Sequence, residues 1–126
     1  MLTNFYNTKD IKELLKEVKK YLKEGKTNEE ICELIDGSTC DSYLFGNDEI
    51  IHIIIEKTRF TGNFLKKNFT PDEYDIKKIK QDIDVESLNI IIDYEIKEIK
   101  ADTKCIIEYK DGYIQEDYYE IAHIKF

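Results

Sequence analysis

The stretch TKCIIEYKDGYIQEDYYEIAHIKF, residues 103–126, contains two runs of alternating apolar and polar residues joined by Asp111-Gly112. An Asp-Gly pair between such runs is the strongest short-range signal of a β-hairpin. A two-residue turn there predicts that Tyr109 pairs with Ile114, Glu108 with Gln115 and Cys105 with Tyr118. The C-terminal end of the chain is therefore predicted to be an antiparallel hairpin.

A further strand is predicted just before this hairpin. In residues 88–100, apolar side chains at alternate positions from Ile90 to Ile96 are separated by mainly polar ones. This is the period of a strand that is buried on one face. Ile91 and Ile106 fall on the otherwise polar faces of their strands, which indicates that a helix or another copy of the chain covers a second surface.

The isoleucine-rich run at residues 50–55 indicates another strand, over residues 49–60, buried on both faces through that run. Residues 61–63, Thr-Gly-Asn, are a turn signal. Phe64 and Leu65 are then expected to begin a short return strand.

Two helices are predicted at the N-terminus. The apolar residues of 8–24 recur at the spacing of one helical face, and Gly25 stands where a C′ glycine belongs. Residues 27–30, Thr-Asn-Glu-Glu, form a capping box that begins a second helix, and Gly37 ends it. The first 37 residues are therefore predicted to form a helical hairpin.

A third helix is predicted over residues 71–84. Thr70 is the N-cap, Pro71 occupies the first helical position and Glu73 completes a capping box. The buried stripe is supplied by three isoleucines, Ile76, Ile79 and Ile83.

Together these elements predict one α+β domain over residues 1–126. Its N-terminal helical hairpin and one further helix would pack on an antiparallel sheet of about four strands. No apolar run approaches the roughly 18 residues of a membrane span, and the N-terminus lacks the pattern of a signal peptide. Three cysteines without paired spacing, Cys32, Cys40 and Cys105, are expected to be reduced thiols in a cytoplasmic protein.

The negative charge is concentrated in the C-terminal part. The chain has a net charge of −8, and residues 71–126 hold eight Lys and fifteen Asp or Glu, which is −7. Such a field repels nucleic acid and anionic membrane and attracts basic partners. The alternative is that the charge serves solubility alone.

Residues 22–45 resemble the first half of a DNA-binding helix-turn-helix unit. That resemblance implies a recognition helix from about Thr39 to Phe45. Base readout relies on Arg, Lys, Asn or Gln, and this segment offers none of them. A plain helical hairpin that covers the sheet explains the same residues.

Two short motifs resemble the literal motif of a large superfamily of metal-dependent nucleases. They are Pro71-Asp72 and Glu95-Ile96-Lys97. The resemblance implies that an acid and Glu95 hold Mg²⁺ while Lys97 lies beside the attacked phosphate. The alternative is that Pro71-Asp72 only begins a helix, and that Glu95 and Lys97 are the polar face of a strand.

The two histidines and the three cysteines are not spaced in the sequence as paired metal ligands are. His52 lies inside an isoleucine run and is expected to be a hydrogen-bonded core histidine, and His123 lies near the C-terminal edge. We therefore predict no catalytic residue, no metal site and no cofactor.

The predicted functional surface is the C-terminal hairpin, where carboxylates alternate with tyrosines. Tyrosine is favoured in binding hot spots, and carboxylates around it steer a basic partner towards the surface. The partner-binding residues are Glu108, Tyr109, Asp111, Tyr113, Glu116, Asp117, Tyr118, Tyr119 and Glu120. The alternative is an ordinary hairpin with an acidic, solvated edge.

These features predict a small, acidic, non-enzymatic binding protein that inhibits a basic, nucleic-acid-handling protein partner. In size and charge it resembles phage-encoded inhibitors of host defence such as anti-CRISPR proteins, which implies action in the host cytoplasm. The alternatives are a toxin-neutralising immunity protein and a helix-turn-helix-like DNA-binding regulator. No direct contact with nucleic acid or membrane is expected, and a homodimer stays open.

Overall fold

The chain is mostly sheet in a computed structural model that describes residues 4–5, 8–68 and 75–126. The strands are β1 (Asn4–Phe5), β2 (Thr39–Phe45), β3 (Asp48–Glu56), β4 (Thr58–Arg59), β5 (Ile76–Gln81), β6 (Ser87–Asp93), β7 (Glu98–Tyr109) and β8 (Ile114–Lys125). The helices are α1 (Thr8–Lys23), α2 (Asn28–Leu34) and α3 (Gly62–Asn68), with a 3₁₀ turn at Ile83–Val85.

The main sheet has six antiparallel strands rather than the expected four. Its order is β2-β3-β6-β7-β8, and β7 is long enough to pair with two strands on one edge. The first half of β7 pairs with β6 and the second half with β5, while β8 follows its other edge. β1 and β4 form a separate parallel pair. The predicted balance of helix and sheet was therefore wrong.

The helix predicted over 71–84 is wrong in its described part, where residues 76–81 form β5. Thr70, Pro71 and Glu73, which signalled its start, lie outside the described residues. The pairing of β5 with β7 shifts register between Ile76 and Lys78, which marks an irregularity of the β-bulge kind. Such a bulge can bring residues three apart to one face of a strand, so the spacing imitates a helix. Ile83, the third member of the stripe, is 78% exposed.

The short strand expected at Phe64 and Leu65 is also wrong, because these residues lie in α3. The Thr61 hydroxyl accepts a hydrogen bond from the Phe64 N–H at 3.1 Å, and the Thr61 carbonyl accepts one from the Leu65 N–H. Thr61 therefore caps a helix instead of starting a hairpin turn. Leu65 is fully buried.

The strand expected over 88–100 is interrupted by a tight turn. β6 ends at Asp93, whose side chain accepts hydrogen bonds from the N–H groups of Glu95 and Ile96, and Lys97 has a φ of 53°. β7 begins directly afterwards. Tyr94 to Lys97 thus join two strands of a hairpin and are not part of either.

The C-terminal hairpin is confirmed, but its register differs by one residue from the prediction. Tyr109 donates its N–H to the Tyr113 carbonyl, and Gly112, at φ +91°, donates to the Tyr109 carbonyl. The loop is therefore one residue longer than an Asp-Gly turn, a common form with glycine in the left-handed region. The observed partners are Glu108 with Ile114, Ile107 with Gln115 and Cys105 with Asp117. A shift of one residue changes which side chains share a face.

The N-terminal helices are confirmed. The N–H of Gly25 donates to the Leu22 carbonyl and that of Lys26 to the Tyr21 carbonyl, which closes α1 in a Schellman motif. The predicted capping box at Thr27 and Glu30 is present at the start of α2.

The helices cover one face of the sheet. Isoleucines and leucines of α1 and α2 form the core with alternate residues of β3, β6 and β7. In the part of the chain that the structure describes, no helix packs on the opposite face, which we call the open face. Its central residues are His52 and Ile54 of β3, Asn89 and Ile91 of β6, Asp102 and Ile106 of β7 and Tyr118 of β8. Ile91 and Ile106 are half-buried there.

Candidate functional site

The nine predicted partner-binding residues are divided between the two faces of the hairpin. The register of β7 and β8 puts Glu108, Glu116, Tyr118 and Glu120 on the open face. Tyr109, Asp117 and Tyr119 point to the other side, and Tyr113 stacks on Tyr109 with ring centroids 5.7 Å apart. Asp111 lies in the loop, where its carboxylate accepts a hydrogen bond from the Tyr113 N–H.

Two of the predicted tyrosines are engaged within the fold. The Tyr109 hydroxyl donates to Gln115 Oε1 at 2.8 Å, and both Tyr109 and Tyr119 are half-buried. Burial raises the pKa of Tyr119 to about 12, and nearby Tyr109 and Asp117 act in the same direction. Tyr118, by contrast, is 49% exposed on the open face. The hairpin therefore presents Tyr118 between Glu116 and Glu120 as its most available aromatic group on that face.

A cavity of about 380 Å³ lies on the open face beside Tyr118. β3 contributes His52, Ile54 and Glu56, and Lys57 follows directly. β6 contributes Ser87 and Asn89, and the 3₁₀ turn with Glu86 forms a further wall. This volume falls within the range of about 300–1,000 Å³ that small-ligand sites occupy.

The wall formed by residues 82–86 is fixed at several points. The Lys57 N–H donates to the Glu86 carbonyl at 3.0 Å, and Arg59 Nε lies 2.6 Å from Glu86 Oε2. Asp82 caps the 3₁₀ turn by accepting from the Asp84 N–H, and its own N–H donates to the Lys104 carbonyl. Lys57 has a φ of 57°, so the bend that ends β3 carries left-handed backbone strain. Backbone and side-chain contacts together therefore fix this wall of the cavity.

The floor of the cavity contains buried polar groups. Asn89 is 3% exposed and donates its Nδ2 hydrogen to Asp102 Oδ1 at 2.8 Å. Burial raises the pKa of the Asp102 carboxyl, while the hydrogen bond from Asn89 and the electrostatic influence of His52 lower it. His52 Nε2 is buried without a hydrogen-bond partner among the described residues. His52 was expected to be a satisfied core histidine, and that prediction is wrong because its strand position faces the cavity.

The charged groups at the cavity are mainly acidic. Glu56, Asp84 and Glu86 supply carboxylates, and Lys57 supplies a single amine among the lining residues. Glu86 is paired with Arg59, whereas no ion pair of Glu56 or Asp84 occurs within the described residues. The cavity therefore favours a cationic occupant.

A second cluster on the open face has the atom types of a metal site. Ligand atoms of Glu98, Glu120 and His123 lie within 4.8 Å of one another. His123 Nδ1 lies 2.7 Å from Glu120 Oε2, and Lys100 Nζ lies 3.9 Å from Glu98 Oε1. Carboxylate and imidazole could hold a divalent cation, but the groups already pair with one another and with a lysine.

The motifs that resembled DNA-binding and nuclease units are arranged differently from what those resemblances implied. Residues 39–45 form strand β2, so the expected recognition helix of a helix-turn-helix regulator is replaced by sheet. Glu95 and Lys97 lie exposed in the β6–β7 turn rather than on a strand. Asp72 lies outside the described residues.

Sequence reasoning missed the cavity because its residues come from distant strands. His52 and Asn89 of the cavity, and Asp102 that is bonded to Asn89, are brought together only by the pairing of β3 with β6 and of β6 with β7. The one local signal was a histidine at an alternate position of an isoleucine run.

Comparisons with protein-family models, with curated proteins and with solved structures gave no match. None of the helices in the described ranges is both long enough and apolar enough to pass through a bilayer.

Proposed function

We propose that this chain is a non-enzymatic binding protein that inhibits a basic, nucleic-acid-handling protein partner in the cytoplasm. The observation that carries the proposal is the open face, where Glu116, Tyr118 and Glu120 lie beside a cavity with an acidic rim. An exposed aromatic residue among carboxylates supplies both contact area and attraction for a basic surface.

The charge distribution supports a partner that normally binds nucleic acid. Residues 71–126 carry −7 of the net charge of −8, and they include β7, β8 and the 3₁₀ wall of the cavity. A protein that binds a phosphate backbone presents clustered Lys and Arg. An acidic face can occupy such a surface and exclude the nucleic acid.

Two pairs of residues on β8 and its loop allow a matched test. The open-face variant is Glu116→Ala with Tyr118→Ala. The control is Asp117→Ala with Tyr113→Ala, which likewise removes one carboxylate and one tyrosine from the same hairpin, but away from the open face. Circular dichroism should show the same fold for both variants.

The experiment is affinity capture from host lysate with tagged wild type and each variant, washed at low and at high salt. We expect one basic nucleic-acid-binding protein to be retained by the wild type and the control, and to be weakened by salt. The open-face variant should retain it about tenfold less well. Equal retention by the open-face variant, or recovery of nucleic acid instead of protein, would contradict the proposal. Recovery of a toxin would favour an immunity protein.

A homodimer stays a prediction. β2 is an edge strand of the main sheet, and its Tyr43, Leu44 and Phe45 are exposed. Sedimentation equilibrium of the purified chain would test it.

A further inference from the structure

The cavity on the open face has two apolar sides and a polar rim. Ile54 and Val85 are half-buried in its walls, and the Tyr118 ring borders it from β8. Glu56 and Asp84 are exposed at the rim. A concave site with apolar walls and a few converging polar groups is the usual form of a ligand site.

The rim carries carboxylates that the fold itself does not neutralise. Arg59 balances Glu86, but within the described residues neither Glu56 nor Asp84 has a cationic partner. Lys57 is the one basic residue among those that line the cavity. An occupant with a positive charge would gain electrostatic attraction there, and an anion would be repelled.

His52 lines the cavity, but its Nε2 is buried and has no partner in the described part of the chain. Because that atom has almost no exposed surface, an occupant of the cavity contacts the rim carboxylates rather than His52 Nε2.

We propose that this cavity receives an arginine side chain of the basic protein partner. This assignment rests on the proposed function. The guanidinium has five N–H donors in a fixed plane, which suits acceptors on different walls, namely the exposed carboxylates of Glu56 and Asp84. Its plane also stacks on an aromatic ring such as that of Tyr118. A lysine ammonium presents a compact charge and matches separated acceptors less well.

The test is a titration of the full chain with small probes, in which binding is monitored by the chemical shifts of the backbone amide resonances. The probes are N-acetyl-arginine amide, the lysine analogue and the uncharged, isosteric citrulline analogue. We expect saturable shifts at Ser87, Asn89 and Tyr118 with the arginine probe, and affinities about tenfold weaker for lysine and for citrulline.

A variant and a matched control locate the binding. Glu56→Gln with Asp84→Asn should weaken the arginine probe about tenfold. Glu13→Gln with Glu17→Gln removes two exposed carboxylates from α1, which packs on the covered face, and should leave its affinity unchanged.

Shifts that do not saturate, or that citrulline reproduces, would overturn the proposal. The partner is absent from this titration. A negative result would therefore contradict the arginine assignment, but it would not contradict capture of a partner through the hairpin. Conversely, arginine binding without any partner capture would refute the proposed function, and with it the assignment of the cavity to an arginine of that partner.

Discussion

Asp102 lies on the open face with a neighbour on each side of its strand. Asn89 of β6 donates a hydrogen bond to it, and Glu120 of β8 stands opposite. Burial favours the neutral acid, and Glu120 and Asp117 add repulsion, so the pKa of Asp102 is raised in the folded chain. The folded state therefore binds this proton more tightly than the unfolded state. The stability that this difference provides is present at low pH and is lost as pH rises through the folded pKa.

Asp102→Asn should therefore stabilise the fold at pH 7. The substituted amide oxygen still accepts from Asn89, and the buried charge is gone. The gain over wild type should shrink towards zero as pH falls below about 4, where the carboxyl is protonated in both states. Urea denaturation at several pH values measures this difference.

The exposed Glu17→Gln is the control for that series and should show no comparable gain. A variant less stable than wild type at pH 7, or a gain that grows on acidification, would contradict the assignment.

Single residues explain which local predictions succeeded. Thr27 with Glu30, and Gly25 after α1, act on backbone groups within a few residues, and the structure contains both caps. His52 was misjudged because the side of the strand it faces depends on pairing with β6. The members of this buried polar cluster come from three strands, so the sequence of any one strand does not reveal the cluster.

Gln81 at the end of β5 joins three separate elements. Its Nε2 donates to the Thr58 carbonyl at 2.7 Å and to Thr103 Oγ1 at 3.0 Å, and its Oε1 accepts from the Phe60 N–H at 2.9 Å. All of these contacts are buried. Gln81 therefore ties β4 and β5 to β7.

Gln81→Leu should reduce the free energy of unfolding by roughly 3 kcal/mol, because it leaves a buried backbone N–H and a buried carbonyl without partners. Urea denaturation checks this value. Lys80→Leu, at the exposed neighbouring position, should change it by no more than about 0.5 kcal/mol. Equal effects of the two substitutions would show that Gln81 does not join these elements.

Elements were predictable where the hydrophobic period was regular. α1 and β3 follow from their spacing, whereas β5 combines a bulge with a spacing of three and imitates a helix. The hairpin was identified from Asp111-Gly112, but its register depends on a loop one residue longer. Bulges and loop lengths are set by pairing across the sheet, which one segment alone does not reveal.

The two faces of the main sheet differ in what lies on them among the described residues. α1, α2 and the aliphatic residues of β3, β6 and β7 form the core on one face. The other face carries the cavity, the exposed Tyr118 and carboxylates of a chain whose net charge is −8. Glu116 and Tyr118 are exposed on the second face, so they can be changed to test binding with little loss of stability.

We propose above that the open face excludes nucleic acid from a basic partner. The most direct test of this proposal is a competition measured by fluorescence anisotropy, with the captured partner bound to labelled nucleic acid and increasing amounts of this protein. We predict that the wild type and Asp117→Ala with Tyr113→Ala displace the nucleic acid fully. Glu116→Ala with Tyr118→Ala should require about tenfold more protein. Nucleic acid that stays bound when the partner is saturated with wild-type protein would contradict the claim.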